Sequence, residues 1–273
     1  MELTTFYYIF AAVYFGIVGL CVGSFLNVVI YRLPNKMSLV KPASHCTNCD
    51  YQLKWYDNIP VVSYIVLGGK CRKCKSKISP RYITVEILNM CLWLLCFFTF
   101  GFGDWREIVM SVTSAIACSV CVCIAAIDFE HKIIFDRFQI MMVCLAIPFM
   151  IADRSTSVLI NIITAFAACL VLFLIAFAVI NAVNEDAVGG GDIKFAFGSA
   201  LFLGWKRVIL MWILASVSSL IYIAASNIKA KKRNAEDEQN REYPFGPFLV
   251  FGFIAALLFG RKILSLYLGL FGL

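Results

Sequence analysis

Long apolar runs alternate with short polar stretches along the whole chain. The runs cover residues 6–30, 82–100, 108–127, 138–152, 158–183, 193–203, 208–228 and 247–270. A helix rises about 1.5 Å per residue, so about 20 apolar residues cross the roughly 30 Å hydrocarbon core of a bilayer. The pattern therefore predicts eight helices at membrane depth. The first run has no basic residue before it and no small-residue cleavage site, and reads as a retained helix rather than a signal peptide. Runs 138–152 and 193–203 are short, reaching only about 22 Å and about 17 Å at helical rise. Either these helices begin earlier in the chain or the bilayer is locally thinned. Both follow acidic stretches, 128–136 and 186–192. Early starts would put Asp128 and Asp192 below the headgroups, facing a water-filled indentation, where irregular backbone at membrane depth is tolerated.

Composition carries the same message. Hydrophobic residues make up 61% of the chain, charged residues 15%, and mean hydropathy is +0.84. A soluble domain is about 45–50% apolar and about 25% charged. A chain this apolar cannot cover its surface with polar groups. Disorder, a collagen-like repeat and a secreted disulfide miniprotein are excluded by the same numbers. The fold class expected is an all-α polytopic membrane protein of about eight transmembrane helices.

The net charge of +7 is unevenly placed, with ten Lys and Arg in 32–81 and five in 228–246. Eight spans put both termini on one side, and loops 32–81, 128–137, 184–192 and 229–246 on the other. The second side holds seventeen Lys and Arg, eighteen with Lys194, whereas the opposite loops hold only Arg106, Arg154, Lys206 and Arg207. The basic side is expected to be cytoplasmic, with both termini facing outward. The chain then divides into a first transmembrane helix (1–31), a cytoplasmic loop (32–81) and a membrane-embedded remainder (82–273).

Eight of the twelve cysteines lie in apolar runs, where a thiol behaves as a small hydrophobe. The other four form two motifs in the polar loop, Cys46-Thr-Asn-Cys49 and Cys71-Arg-Lys-Cys74. Each motif can set two thiolates on one side of a tight turn, and two such turns complete a tetrahedral sulfur site suited to Zn²⁺. Redox or unpaired thiol pairs are the alternative. A reducing cytoplasm disfavours structural disulfides. Four cysteine ligands leave no position for a catalytic water, so the metal expected is structural. His45, adjacent to Cys46, is an alternative ligand. The loop is also basic and aromatic, but lipid headgroups account for that more simply than nucleic acid, which is not expected as a partner.

Ionisable residues at membrane depth are functional candidates. Asp128 ends an apolar helix in Ala-Ala-Ile-Asp128-Phe-Glu-His, and Asp192 follows glycines in Gly189-Gly-Gly-Asp192-Ile-Lys194. A carboxylate at a helix N-terminus is also a plain cap, and Asp128 also reads as a solvated helix end. Two carboxylates meeting near one water cannot both ionise cheaply. One would then take a proton from the water as it attacks a peptide carbonyl, and the other would stabilise the oxyanion and protonate the leaving amine.

The chain resembles the type IV prepilin peptidases, bacterial membrane aspartic proteases with a Gly-x-Gly-Asp motif. The resemblance rests on Gly23-Ser-Phe-Leu-Asn-Val-Val-Ile-Tyr-Arg-Leu-Pro34, the paired cysteine motifs, Asn58-Ile-Pro60, Ser63-Tyr64 and Ile78-Ser-Pro-Arg-Tyr82 through Glu86. It continues in Ile127-Asp128, Gly189-Gly-Gly-Asp192-Ile-Lys194 and Phe245-Gly-Pro-Phe248. It implies an inner-membrane peptidase that cleaves type IV prepilin or pseudopilin precursors after a glycine closing a short basic leader, at the cytoplasmic face. The catalytic dyad falls on Asp128 and Asp192, supported by Gly189, Gly191 and Lys194, and 82–273 becomes the peptidase core. Many members also methylate the new N-terminus from S-adenosylmethionine. That activity is implied for Gly23, Asn27, Arg32 and Glu86 together with loop 32–81, whose cysteines match the zinc-binding loop of bifunctional members.

Family members usually carry proline before the second aspartate of the first acidic motif, where this chain has Phe135 before Asp136. That suggests a changed entry into the fourth helix. Glu130, His131 and Asp136 are further candidates for supporting the site, and Glu185 and Asp186 for attracting a basic leader. A proton- or cation-coupled transporter using the same carboxylates is the alternative from another class, although no internal repeat relates the two halves. A non-catalytic zinc-loop adaptor, with both aspartates as helix-end groups, is a third.

Overall fold

The computed structural model describes residues 3–183, 189–231 and 243–270. Among these, every regular element is helical: α1 (Leu3–Arg32), α2 (Val62–Val66), α3 (Arg81–Phe100), α4 (Trp105–His131), α5 (Asp136–Ala152), α6 (Val158–Val183), α7 (Gly190–Lys231) and α8 (Gly246–Leu270). Six of them, all but α2 and α5, are long and apolar enough to cross a membrane. Runs 193–203 and 208–228 form the single helix α7, bent at Gly204, whose φ of 68° and ψ of 173° break the helical geometry. All eight apolar runs are thus helical, and the two short ones do start earlier, at Asp136 and at Gly190.

The apolar surfaces face outward as readily as inward. On α6, Leu159, Phe166, Leu170, Phe173 and Phe177 are all exposed. A helix apolar on all sides is stable where its solvent is hydrocarbon.

The chain forms two compact units, Met1–Cys123 and Ile124–Leu273, with α4 continuous through both. In the first unit α1 packs against α3 through small residues. A Cβ at Gly19 would lie 3.0 Å from Trp93 Cβ, and one at Gly23 would lie 2.8 Å from the Glu86 Cα, so glycine lets the two backbones approach. The Asn89 side-chain amide donates to Gly19 O at 2.7 Å. Ser119 Oγ donates to Asn89 Oδ1 at 2.8 Å, and Trp93 Nε1 donates to Ser119 Oγ at 2.9 Å. This satisfied relay fixes the register of α1, α3 and the first half of α4 in surroundings that offer no water. Gly101, at φ 85°, ends α3, and the Asp104 carboxylate accepts the Glu107 N–H to start α4.

In the second unit α7 packs against α5, α6 and α8. Phe149, Phe202, Phe253 and Phe195 form its aromatic core, with successive ring centroids 5.1, 5.7 and 5.9 Å apart. The bend at Gly204 frees carbonyls that must be satisfied. Asn161 Nδ2 donates to Leu201 O at 3.2 Å, and Arg207 Nε donates to Leu203 O at 2.7 Å. Arg207 and Arg261 both pair with the Asp153 carboxylate, at 3.0 and 2.6 Å, and so tie the end of α5 to α7 and α8.

Candidate active site and metal centre

Asp128 sits in the last turn of α4 and is buried, at 6% exposure. The C-terminal end of a helix dipole is a poor place for an anion. The compensation comes from the start of α8, where the Gly246 backbone N–H donates to Asp128 Oδ2 at 3.0 Å. Asp192 lies in the first turn of α7, half-buried, with its N–H donating to Gly189 O at 3.0 Å and its carboxylate facing the Gly189 N–H. That reciprocal pattern is a capping arrangement, so a structural role for Asp192 is real. It does not exhaust the carboxylate, which has about four acceptor sites. The Asp128 carboxylate is close enough to act on Asp192 electrostatically. The fold of the second unit therefore brings the two aspartates together.

The glycines around Asp192 are not equivalent. A Cβ at Gly191 would lie 2.9 Å from Ile134 Cβ, one at Gly189 would make ordinary contact at 3.4 Å with Asp192 Oδ2, and one at Gly190 would meet open space. Only Gly191 is required by packing, where α7 passes the segment entering α5. Lys194 pairs with Asp136 at 2.6 Å, with both side chains more than half exposed, and this joins the first turns of α7 and α5. Phe135 takes φ −75° and ψ 135°, the φ that a proline ring would impose. Entry into α5 therefore has the shape that proline would give it. Glu130 and His131 are exposed at the end of α4. Glu185 and Asp186 lie outside the described residues.

The first unit carries the metal-type cluster. Cys46, Cys49, Cys71 and Cys74 place their sulfurs within 4.8 Å of one another, the one such cluster among the described residues. Two turns of the same design build it. Cys46 N–H donates to Tyr51 O and Cys71 N–H to Ser76 O, at 2.9 and 2.8 Å. Asp50 and Lys75, each just after the second cysteine of its motif, take positive φ of 52° and 59°. Cys46 and Cys74 sulfurs are 3.9 Å apart, and those of Cys49 and Cys71 4.0 Å apart. A tetrahedral zinc site with Zn–S of about 2.3 Å requires about 3.8 Å between sulfurs, so the residues fit the ion. His45 stays outside the cluster, with Nδ1 against Ala43 O at 3.1 Å.

The electrostatics also point to a cation. The hydroxyl and backbone N–H of Ser76, with the Asn48 amide, hold the Cys74 thiol down to about 5. The Tyr51 N–H favours a Cys49 thiolate, but burial and three neighbouring sulfurs outweigh it and push that thiol up to about 11. Four thiolates this close repel one another, and a divalent ion is what lets all four ionise together. Asp57 braces the second turn, its carboxylate accepting Arg72 Nε at 2.7 Å and the Lys54 N–H at 3.2 Å. Burial opposes its ionisation, but Arg72 and the Lys54 N–H prevail and hold it below the ordinary carboxylate value. Metal analysis of purified protein is expected to find about one zinc per chain, and Cys71→Ser to lose most of it.

Comparison with known proteins decides the family. A profile described as Bacterial Peptidase A24 N-terminal domain matches residues 17–100, and one described as Type IV leader peptidase family matches residues 115–224. A prepilin leader peptidase/N-methyltransferase of Myxococcus xanthus is 32% identical over 241 residues, covering 85% of this chain and 70% of its own. One of Vibrio cholerae is 30% identical over 255 residues, covering 88% and 93%. The chain belongs to the type IV leader peptidase family. A type 4 prepilin-like proteins leader peptide-processing enzyme of Escherichia coli is 29% identical, covering 88% of this chain and 90% of its own. No solved structure matches. Family and apolar helices together make this leader peptidase an integral protein of the inner membrane. The transporter alternative gains no support from these matches.

The residues implicated in methylation have visible partners in the leader peptidase fold. Asn27 Nδ2 donates to Tyr82 O at 3.0 Å, and Arg32 donates to Ser38 O and Pro42 O at 3.0 and 2.7 Å. Glu86 accepts the Val61 N–H at 2.7 Å, and Gly23 lies against the Glu86 backbone. Asn27 Oδ1 is buried without a partner. Gly246 was missing from the residues singled out for the site. The Phe245-Gly-Pro-Phe248 motif was the available signal, but a Gly-Pro pair ordinarily reads as a helix start.

Proposed function

We propose that the protein is a membrane aspartic endopeptidase that removes the basic leader of type IV prepilin or pseudopilin precursors, cutting after the glycine that closes it. The observation that carries this is the meeting of Asp128 and Asp192 within the second unit, with Asp128 oriented by the Gly246 N–H. The ionised carboxylate takes a proton from a water, whose oxygen attacks the scissile carbonyl carbon. The protonated partner donates toward the developing oxyanion. The C–N bond then breaks as the amine receives a proton from the dyad. The distribution of Lys and Arg supports a cytoplasmic active site with both termini facing outward.

The same protein then methylates the new N-terminal amine, with S-adenosylmethionine as methyl donor. The N-terminal family profile and the names of the relatives support this second activity. Zinc on the four cysteines would shape the loop of that unit and take no part in bond breaking.

Incubation of purified protein with a prepilin and S-adenosylmethionine, followed by intact-mass analysis, tests the reading. The expected product lacks the leader and is heavier by one methyl group. An unprocessed prepilin, across several precursors and with folded protein, would overturn it.

A further inference from the structure

Between the two cysteine turns the loop carries an apolar stripe that no part of the first unit covers. Val62, Ile65 and Val66 lie one turn apart on α2 and are 54, 65 and 73% exposed, and nearby Trp55 is 79% exposed. In water such a stripe would be a liability. Its depth suggests that water is not its solvent. Val61, the residue before α2, donates its N–H to Glu86 Oε2 at 2.7 Å. Glu86 stands five residues into α3, about 7–8 Å along the axis. The 20 residues of α3 amount to about 30 Å, the thickness of the hydrocarbon core, so the start of α2 is held below the headgroups rather than above them.

The backbone at this point is bent to suit. Val61 takes φ 61°, rare for a β-branched residue, and the Glu86 carboxylate fixes it there. A buried carboxylate satisfied by a backbone N–H, next to a short helix with an outward apolar stripe, is what a segment dipping into a leaflet requires. Beside α2, Tyr64, Lys70, Lys77, Ile78 and Pro80 line a cleft of about 410 Å³. Its two ammonium groups stand beside a segment that leads directly into α3, at the level where lipid phosphates lie. Trp55, beside Lys54, is the kind of residue that favours this boundary.

We propose that α2 and the adjoining Trp55 turn dock into the leaflet entered by the start of α3, with Val62, Ile65 and Val66 among acyl chains. Lys70 and Lys77 hold the phosphate of an anionic phospholipid in the cleft beside them. The loop is thereby pinned to the membrane at a third point besides α1 and α3. This holds the cysteine turns at the bilayer surface, independently of which reaction the protein performs.

The test places p-benzoylphenylalanine at Ile65, at Val66 and, as a control, at Lys73 on the second cysteine turn. Each protein is irradiated in nanodiscs of phosphatidylethanolamine with or without phosphatidylglycerol, and zinc content confirms that the loop is folded. Lipid adducts are expected at 65 and 66 and not at 73. Adducts to phosphatidylglycerol should fall several-fold with Lys70→Glu and Lys77→Glu combined. Absence of lipid adducts at 65 and 66 would overturn the proposal. So would crosslinks there to a second copy of the chain or to an added pilin precursor.

Discussion

Asn in place of Asp128 or of Asp192 is expected to lower prepilin cleavage by about two to four orders of magnitude, the range that positioned acid–base groups contribute. Asparagine keeps the shape and the acceptor oxygen of aspartate. Asp128→Asn can still accept the Gly246 N–H, and Asp192→Asn can still face the Gly189 N–H. Neither variant can take a proton from water. Caps tolerate this change, so unchanged cleavage would return both residues to a helix-end role. Both variants should still methylate a pilin whose leader has already been removed, because the residues tied to that activity lie in the first unit. Rates of cleavage and of methylation, measured on separate substrates, distinguish a lost dyad from a damaged fold.

The helices were legible because crossing hydrocarbon demands a run of apolar residues that little else in a sequence imitates. The four-sulfur centre was legible for a similar reason, since two CxxC turns at this separation serve few other purposes. What escaped reading depends on contacts distant in sequence or on very short elements. The α7 bend is one glycine within a continuous apolar stretch, and its satisfying groups, Asn161 and Arg207, sit on two helices. α2 has five residues, too few for a helical period to show. Glu86 could be singled out as a residue, but its hold on Val61 joins positions 25 apart. The Asp128–Gly246 contact spans 118 positions. Glycines next to Asp192 drew notice because they are neighbours in the chain, and proximity in sequence proved a poor guide to which glycine the site needs.

Gly246→Ala makes that last point measurable. A Cβ on residue 246 would lie 2.5 Å from Asp128 Oδ2 and 2.9 Å from its Cγ, closer than van der Waals contact permits. Asp128 cannot retreat easily, since it is buried at the end of α4, and α8 is held against α7 by the backbone approach of Gly252 to Met211 O. The carboxylate must turn away from the N–H that orients it. Displacement of about 1 Å can cost a catalytic group about a hundredfold in rate, and that is the loss expected for cleavage. Gly190→Ala serves as the counterpart, because a methyl group there meets nothing within 4 Å, and its cleavage rate should stay within about twofold of the parent protein. A site organised only by the glycines before Asp192 would give the reverse order, with position 190 sensitive and position 246 tolerant. Methylation of a processed pilin by both variants should be unchanged, which places the loss at Asp128 rather than in the fold.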